Sequence, residues 1–227
     1  MIKFPNTFNG DNITVKAQLE KEADLSRLYD DIENLDEELL KQIIKVKNLF
    51  ITFSNMDSTI NEKDRIKYSE VIIKIPVIID KKNYLFPIIT FVTNKYSLIR
   101  GFYWGFNKDD KCLFKNKGDI ITILKDDVIN LKIPTTRSYK NRIDRPNLLK
   151  SDMILYGASE IMQSPNVLVT LDVRNYKLEE ESSFRIKEIK LGTILENNVT
   201  ANEVYFTKDK FELGQVKKIN KNKEVRQ

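Results

Sequence analysis

One stretch of strict alternation constrains this chain more than any other. Residues 68–77 read Y-S-E-V-I-I-K-I-P-V. Successive side chains of a strand point to opposite faces, so Val71, Ile73, Ile75 and Val77 fall on one side and Glu70, Ile72 and Lys74 on the other. Asp80-Lys81-Lys82-Asn83 reads as a turn and residues 84–93 as a returning strand. Together they predict an antiparallel hairpin.

The same period of two recurs along the chain. Ile13, Val15, Ala17 and Leu19 alternate with Thr14, Lys16 and Gln18, the pattern of a half-buried strand. Residues 48–54 have the branched and aromatic content of a strand, and residues 56–67 read as a polar connection. Short strands are predicted at 112–114, 119–124 and 128–133, then at 167–173, 183–189 and 202–213. Helical content is small: Asp24 caps a short helix through Leu25, Leu28 and Tyr29, and residues 35–44 carry Leu39, Leu40, Ile43 and Ile44 at helical spacing. Residues 134–150 are polar and basic and read as a solvated loop or crossover. The predicted class is mainly antiparallel β with minor α, in one domain over residues 1–227 with a basic tail from about 215.

What the chain lacks narrows its chemistry. It has no histidine, which excludes a histidine general base, a Ser-His-Asp or Cys-His arrangement and most zinc sites. The single cysteine, Cys112, has no disulfide partner and no histidine to activate it, and reads as a strand-edge or core residue in a reducing compartment. No signal-peptide-like start and no run of eighteen apolar residues occurs, so a soluble cytoplasmic protein with no membrane partner is expected. The 38 Lys and Arg exceed the 33 Asp and Glu by five. Part of that excess sits in Lys217, Lys218, Lys221, Lys223 and Arg226, read as a solvated end rather than a nucleic-acid arm.

The chemistry concentrates in residues 99–111, I-R-G-F-Y-W-G-F-N-K-D-D-K. After Arg100 the next charge is Lys108, at the end of a Gly-aromatic run. A lysine forced against aromatic walls loses hydration of its ammonium form, so its pKa falls and more of it is the nucleophilic free amine. Gly101 and Gly105 allow a tight turn or a close backbone approach. The alternative is that Lys108 opens a polar turn after a buried strand and reaches solvent.

This segment resembles the acetoacetate decarboxylase family, whose Schiff-base lysine sits in a Gly-aromatic-Pro-Lys-Lys motif. The matching residues are Gly105, Phe106, Asn107, Lys108 and Asp109, with an Arg100-Gly101-aromatic lead-in. A second motif of the family, Tyr-x-Glu-x-x-x-x-Ile-Pro-Val, falls on Tyr68, Glu70, Ile75, Pro76 and Val77 in the same order and spacing. The resemblance implies an acetoacetate decarboxylase-like barrel or sheet, a small keto-acid substrate, a homo-oligomer, and no metal or organic cofactor. It makes Lys108 the imine-forming residue and Glu70 the group that positions substrate or relays protons. Phe102, Trp104, Phe106 and Ile89 would form the water-poor wall.

Two departures stand out. Asp109 replaces the second lysine, and residues 10–19 offer only Lys16 where the family places a carboxylate-binding arginine, a role that leaves Arg100 as the substitute. Three readings follow: decarboxylation of a β-keto acid, aldolase- or dehydratase-type imine chemistry on a 2-oxo acid, or a non-catalytic barrel that binds a small molecule. Nucleic-acid binding through residues 137–145 and the tail is not favoured, because no base-stacking motif is present.

Overall fold

A computed structural model describes residues 5–30, 32–60, 64–157 and 167–219. In chain order the elements are β1 (Asn6–Ala23), 3-10 turns at Ser26–Leu28 and Ile32–Asn34, α1 (Glu37–Ile43), β2 (Val46–Thr59), β3 (Arg65–Ile79) and β4 (Lys82–Val92). Then come α2 (Lys95–Trp104), β5 (Lys108–Asp109), β6 (Leu113–Lys117), β7 (Ile120–Lys125), β8 (Ile129–Pro134) and a 3-10 turn at Asn147–Lys150. The chain continues through β9 (Ile154–Gly157), β10 (Val167–Thr170), β11 (Val173–Ile194), β12 (Asn197–Leu213) and β13 (Lys217–Lys218).

Ten strands join in the order β5-β4-β3-β2-β1-β12-β11-β8-β7-β6, and β9, β10 and β13 form a small second sheet. The large sheet curls into a half-barrel. Its neighbours are antiparallel except β4 and β5, which run parallel. The predicted hairpin is β3–β4, with Val71 opposite Phe91, Ile73 opposite Ile89 and Val77 opposite Tyr84. Its turn is tighter than the sequence suggests: Asp80 and Lys81 alone make it, at φ +48° and +64°, the left-handed pair that a two-residue hairpin loop requires.

Each face of the sheet has its own content. Val15, Leu49, Ile51, Val71, Ile73, Phe91 and Val204 build the main core, each fully buried side chain contributing about 1.5–3 kcal/mol. The other face is also buried and is polar along its middle: Thr14, Thr52, Ser54, Glu70, Lys74 and Thr90 are all at most 8% exposed. Thr14 and Thr52 satisfy each other across β1 and β2 at 2.9 Å. Over one end of this second face sits a smaller apolar cluster of Phe8, Met56, Tyr68, Trp104, Phe106, Leu155, Val169 and Leu213.

Three expectations are corrected. Residues 56–67 are not one polar connection, since β2 runs to Thr59 and β3 begins at Arg65. Met56 and Tyr68 face each other across the two strands inside the smaller cluster. The apolar run at 99–104 belongs to α2 rather than to a strand. The strand expected at 183–189 is the centre of the 22-residue β11, held along its exposed length by its ladder to β12 and by cross-strand pairs such as Lys210–Glu179 at 2.6 Å. The basic tail begins in β13, where Lys217 is ion-paired to Asp172; Lys221, Lys223 and Arg226 lie outside the described residues. Among the described residues no helix is long and apolar enough to cross a membrane.

Candidate active site

The site starts from how α2 begins and ends. Asn94 caps it, its side-chain oxygen accepting from the N–H groups of Tyr96 at 2.9 Å and Ser97 at 3.2 Å. Gly105, at φ 83° and ψ 21°, closes it in the left-handed conformation that a side chain disfavours. The chain then turns back toward β4. Asn107, at the place of the motif's proline, donates its side-chain amide to Leu28 O at 2.8 Å and Ile88 O at 2.9 Å. Its own carbonyl accepts from Thr90 N at 2.9 Å. These contacts seat β5 beside β4, with Lys108 in register with Thr90 and Asp109 with Phe91.

Lys108 therefore turns inward, onto the polar buried face, and is 8% exposed. Its Nζ lies 3.6 Å from Glu70 Oε2 and donates to the carbonyl and the hydroxyl of Ser97, each at 3.4 Å. The ring of Phe106 is 5.3 Å from it. Gly101 makes this placement physically possible: a Cβ there would sit 2.2 Å from Lys108 Cδ and 2.3 Å from Cε. The glycine the sequence suggests for a turn is a mid-helix gap through which the lysine stem passes.

Electrostatics follow from burial. Desolvation holds the Lys108 ammonium below its usual pKa of 10.5, against the attraction of Glu70, and the positive charge of Arg100 pushes the same way as desolvation. Burial, with the charge of Glu70 beside it, drives the Tyr68 phenol well above its usual value, so Tyr68 stays protonated. Asp109 does not oppose the free amine. The alternation of β5 turns it away from Lys108, and it pairs with Lys125 at 2.8 Å. Burial and the nearby Asp109 push the Cys112 thiol up to about 12, away from the nucleophilic thiolate.

The sequence-derived site residues divide. Lys108, Glu70 and Phe106 come together. Arg100 does not reach out for a substrate carboxylate. It is 1% exposed, and its guanidinium donates to Asn6 Oδ1 at 3.2 Å, Ser58 Oγ at 2.9 Å, Thr59 O at 3.0 Å and Tyr68 Oη at 3.5 Å. Tied down in this way, it acts on Lys108 through its charge. Trp104 packs one layer back, against Phe8 with its indole N–H on Gly214 O at 3.0 Å. Phe102 is not part of the wall, because its position on α2 leaves it 50% exposed. Ile89 is out of phase: it pairs with Ile73 and joins the main core on the opposite face from Glu70. Ser97 and Thr90 are the neighbours of Lys108 that sequence reasoning missed; Asn94, read as a helix cap, would have placed Ser97 in the first turn of α2.

No family model matches the sequence, and no curated protein does. Solved structures do match in shape. The enduracididine biosynthesis enzyme MppR, complexed with the condensation product of pyruvate and imidazole 4-carboxaldehyde, has TM-score 0.66 at 10% identity, covering 98% of this chain and 92% of that one. An acetoacetate decarboxylase-like enzyme from Sphingomonas wittichii RW1 has TM-score 0.62 at 16% identity, covering 96% and 93%. Acetoacetate decarboxylase from Legionella pneumophila subsp. pneumophila str. Philadelphia 1 has TM-score 0.61 at 16% identity, covering 96% and 88%. The curled, mostly antiparallel ten-stranded sheet matches the acetoacetate decarboxylase-like fold, and this chain has that fold.

Proposed function

We propose that this chain is a lysine-imine enzyme that decarboxylates a small β-keto acid of the acetoacetate type. The observation that carries the reading is Lys108: an amine buried on a polar face, 3.6 Å from a carboxylate, with a depressed pKa. The neutral amine adds to the ketone carbon, and the carbinolamine loses water to give an iminium. The bond between the α carbon and the carboxylate then breaks, carbon dioxide leaves, and the electron pair moves into an enamine. A proton returns to carbon, water adds, and the ketone departs from the restored amine. Glu70 takes and returns the protons of the addition and hydrolysis steps. The reading includes a cytoplasmic homo-oligomer; light scattering should give a multiple of 26.6 kDa, and a monomer would remove that part.

The test is to incubate the protein with acetoacetate and, separately, with pyruvate, reduce with borohydride, and measure intact mass alongside carbon dioxide release. A stable mass gain with gas supports decarboxylation. A second reading, condensation or dehydration through the same imine, draws on the pyruvate condensation product in the MppR structure; a mass gain without gas would favour it. No mass gain with either acid would leave a binding protein.

Glu70→Gln gives a prediction with a definite sign. The amine fraction of Lys108 grows as pH rises through its depressed pKa, so trapping by the unaltered protein should increase with pH and level off below pH 10.5. Removing the anion that favours the ammonium should move that profile to lower pH while slowing turnover. A profile that stays in place would take Glu70 out of the site.

A further inference from the structure

We propose that Lys74 and Thr90 hold the carboxylate of the keto acid that Lys108 attacks. The assignment deepens the imine reading and rests on it. Lys74 is 8% exposed, yet no hydrogen bond or ion pair joins its Nζ to any described residue. The Thr90 hydroxyl is buried and also lacks a partner among the described residues. The Thr90 hydroxyl is a buried polar atom left without a partner, which is costly unless something fills it, and the Lys74 ammonium on the same face has no partner among the described residues.

The register puts both beside Lys108. Ile72 lies opposite Thr90 on one side, and Lys108 is in register with Thr90 on the other. Lys74 follows two residues along the same face from Ile72, roughly 7 Å further down the strand. The Lys108 amine, the Thr90 hydroxyl and the Lys74 ammonium therefore border one strip, with Ile72 as its apolar floor.

The surrounding charges leave Lys74 in need of an anion. The charged groups that act on it are Arg145, Glu70 and Asp209. Glu70 faces Lys108 at 3.6 Å. Asp209 is held by Asn12 at 3.2 Å and Tyr176 at 3.4 Å. On the same face, Glu203 is taken by Lys16 at 3.3 Å, so Lys16 is committed elsewhere. Arg145 donates to Leu149 O at 3.0 Å and adds a second positive charge near Lys74. Burial, with Arg145 beside it, lowers the Lys74 pKa to about 8; an arriving carboxylate favours its ammonium form.

Two experiments test this. The first is an NMR titration with 3-hydroxybutyrate, which has a carboxylate and no ketone. The unaltered protein and Lys108→Ala should bind it, and Lys74→Met should weaken binding roughly ten- to a hundredfold, the scale of one charged hydrogen bond. Thr90→Val should weaken it less, and Lys74→Arg should restore part of the loss. The second compares borohydride trapping of acetoacetate with that of methyl acetoacetate, whose acid is masked. Lys74→Met should raise the concentration needed to trap the acid and leave the ester unchanged. Equal losses for acid and ester, unchanged affinity for 3-hydroxybutyrate in Lys74→Met, or no binding to the unaltered protein would overturn the proposal. Binding through Lys74 without any adduct would instead sustain the carboxylate site and remove the imine reading.

Discussion

Lys108→Ala is expected to abolish keto-acid trapping and to cut turnover on the order of 10^4-fold or more, the scale seen when a covalent nucleophile is deleted. The variant should also be less stable by about 1–3 kcal/mol, because Glu70 is left buried, 8% exposed, without the amine that faces it. The two losses have different remedies. Combining Lys108→Met with Glu70→Gln replaces both partners by neutral groups of similar shape, which should recover much of the stability and none of the chemistry. Urea denaturation reads the first quantity and borohydride reduction the second. If Lys108→Ala still forms the adduct at the original rate, another amine is the nucleophile.

Gly101→Ala should separate activity from folding in the opposite sense. An added Cβ would stand 2.2 and 2.3 Å from the Lys108 stem, and the stem, being flexible, is what moves. Overpacking costs about 1–3 kcal/mol. Replacing a mid-helix glycine by alanine returns about 1 kcal/mol of helix propensity, so the melting temperature should change little. The amine, however, leaves its seat beside Glu70 and Ser97. A displacement near 1 Å is enough to cost about 100-fold in rate, so trapping should fall by about that factor in a folded protein. Trapping at the original rate would mean that the helix does not fix the lysine.

The parts of this molecule that were legible in the sequence were those where burial imposes a period. The β3–β4 hairpin announces itself because Val71, Ile73, Ile75 and Val77 must share a face, and the same alternation places Glu70 on the face to which Lys108 turns. Ile89 was misplaced in the site wall, because only the observed register, which puts it opposite Ile73, shows it to lie on the other face. Helix α2 was hidden because Ile99, Phe102 and Tyr103 are exposed at 55%, 50% and 36%. Their apolar character masks the helical period and makes the segment look like a buried strand. Its true signals were local, the Asn94 cap and the Gly105 terminator. Most of β11 was illegible for a different reason. Its side chains are largely exposed, so its extension rests on backbone pairing and bulges that leave no hydrophobic pattern. Ser97 and Thr90 became visible as site residues only once the helix and the β5 register had brought them to Lys108.

The free-amine account of Lys108 meets its most direct test in peptide mapping of the protein after reduction with borohydride in the presence of acetoacetate. The mass increment should fall on the peptide that contains Lys108 and vanish from it in Lys108→Ala. An increment on Lys74 or on surface lysines instead, or an unmodified Lys108 peptide at every pH up to 10, would contradict it.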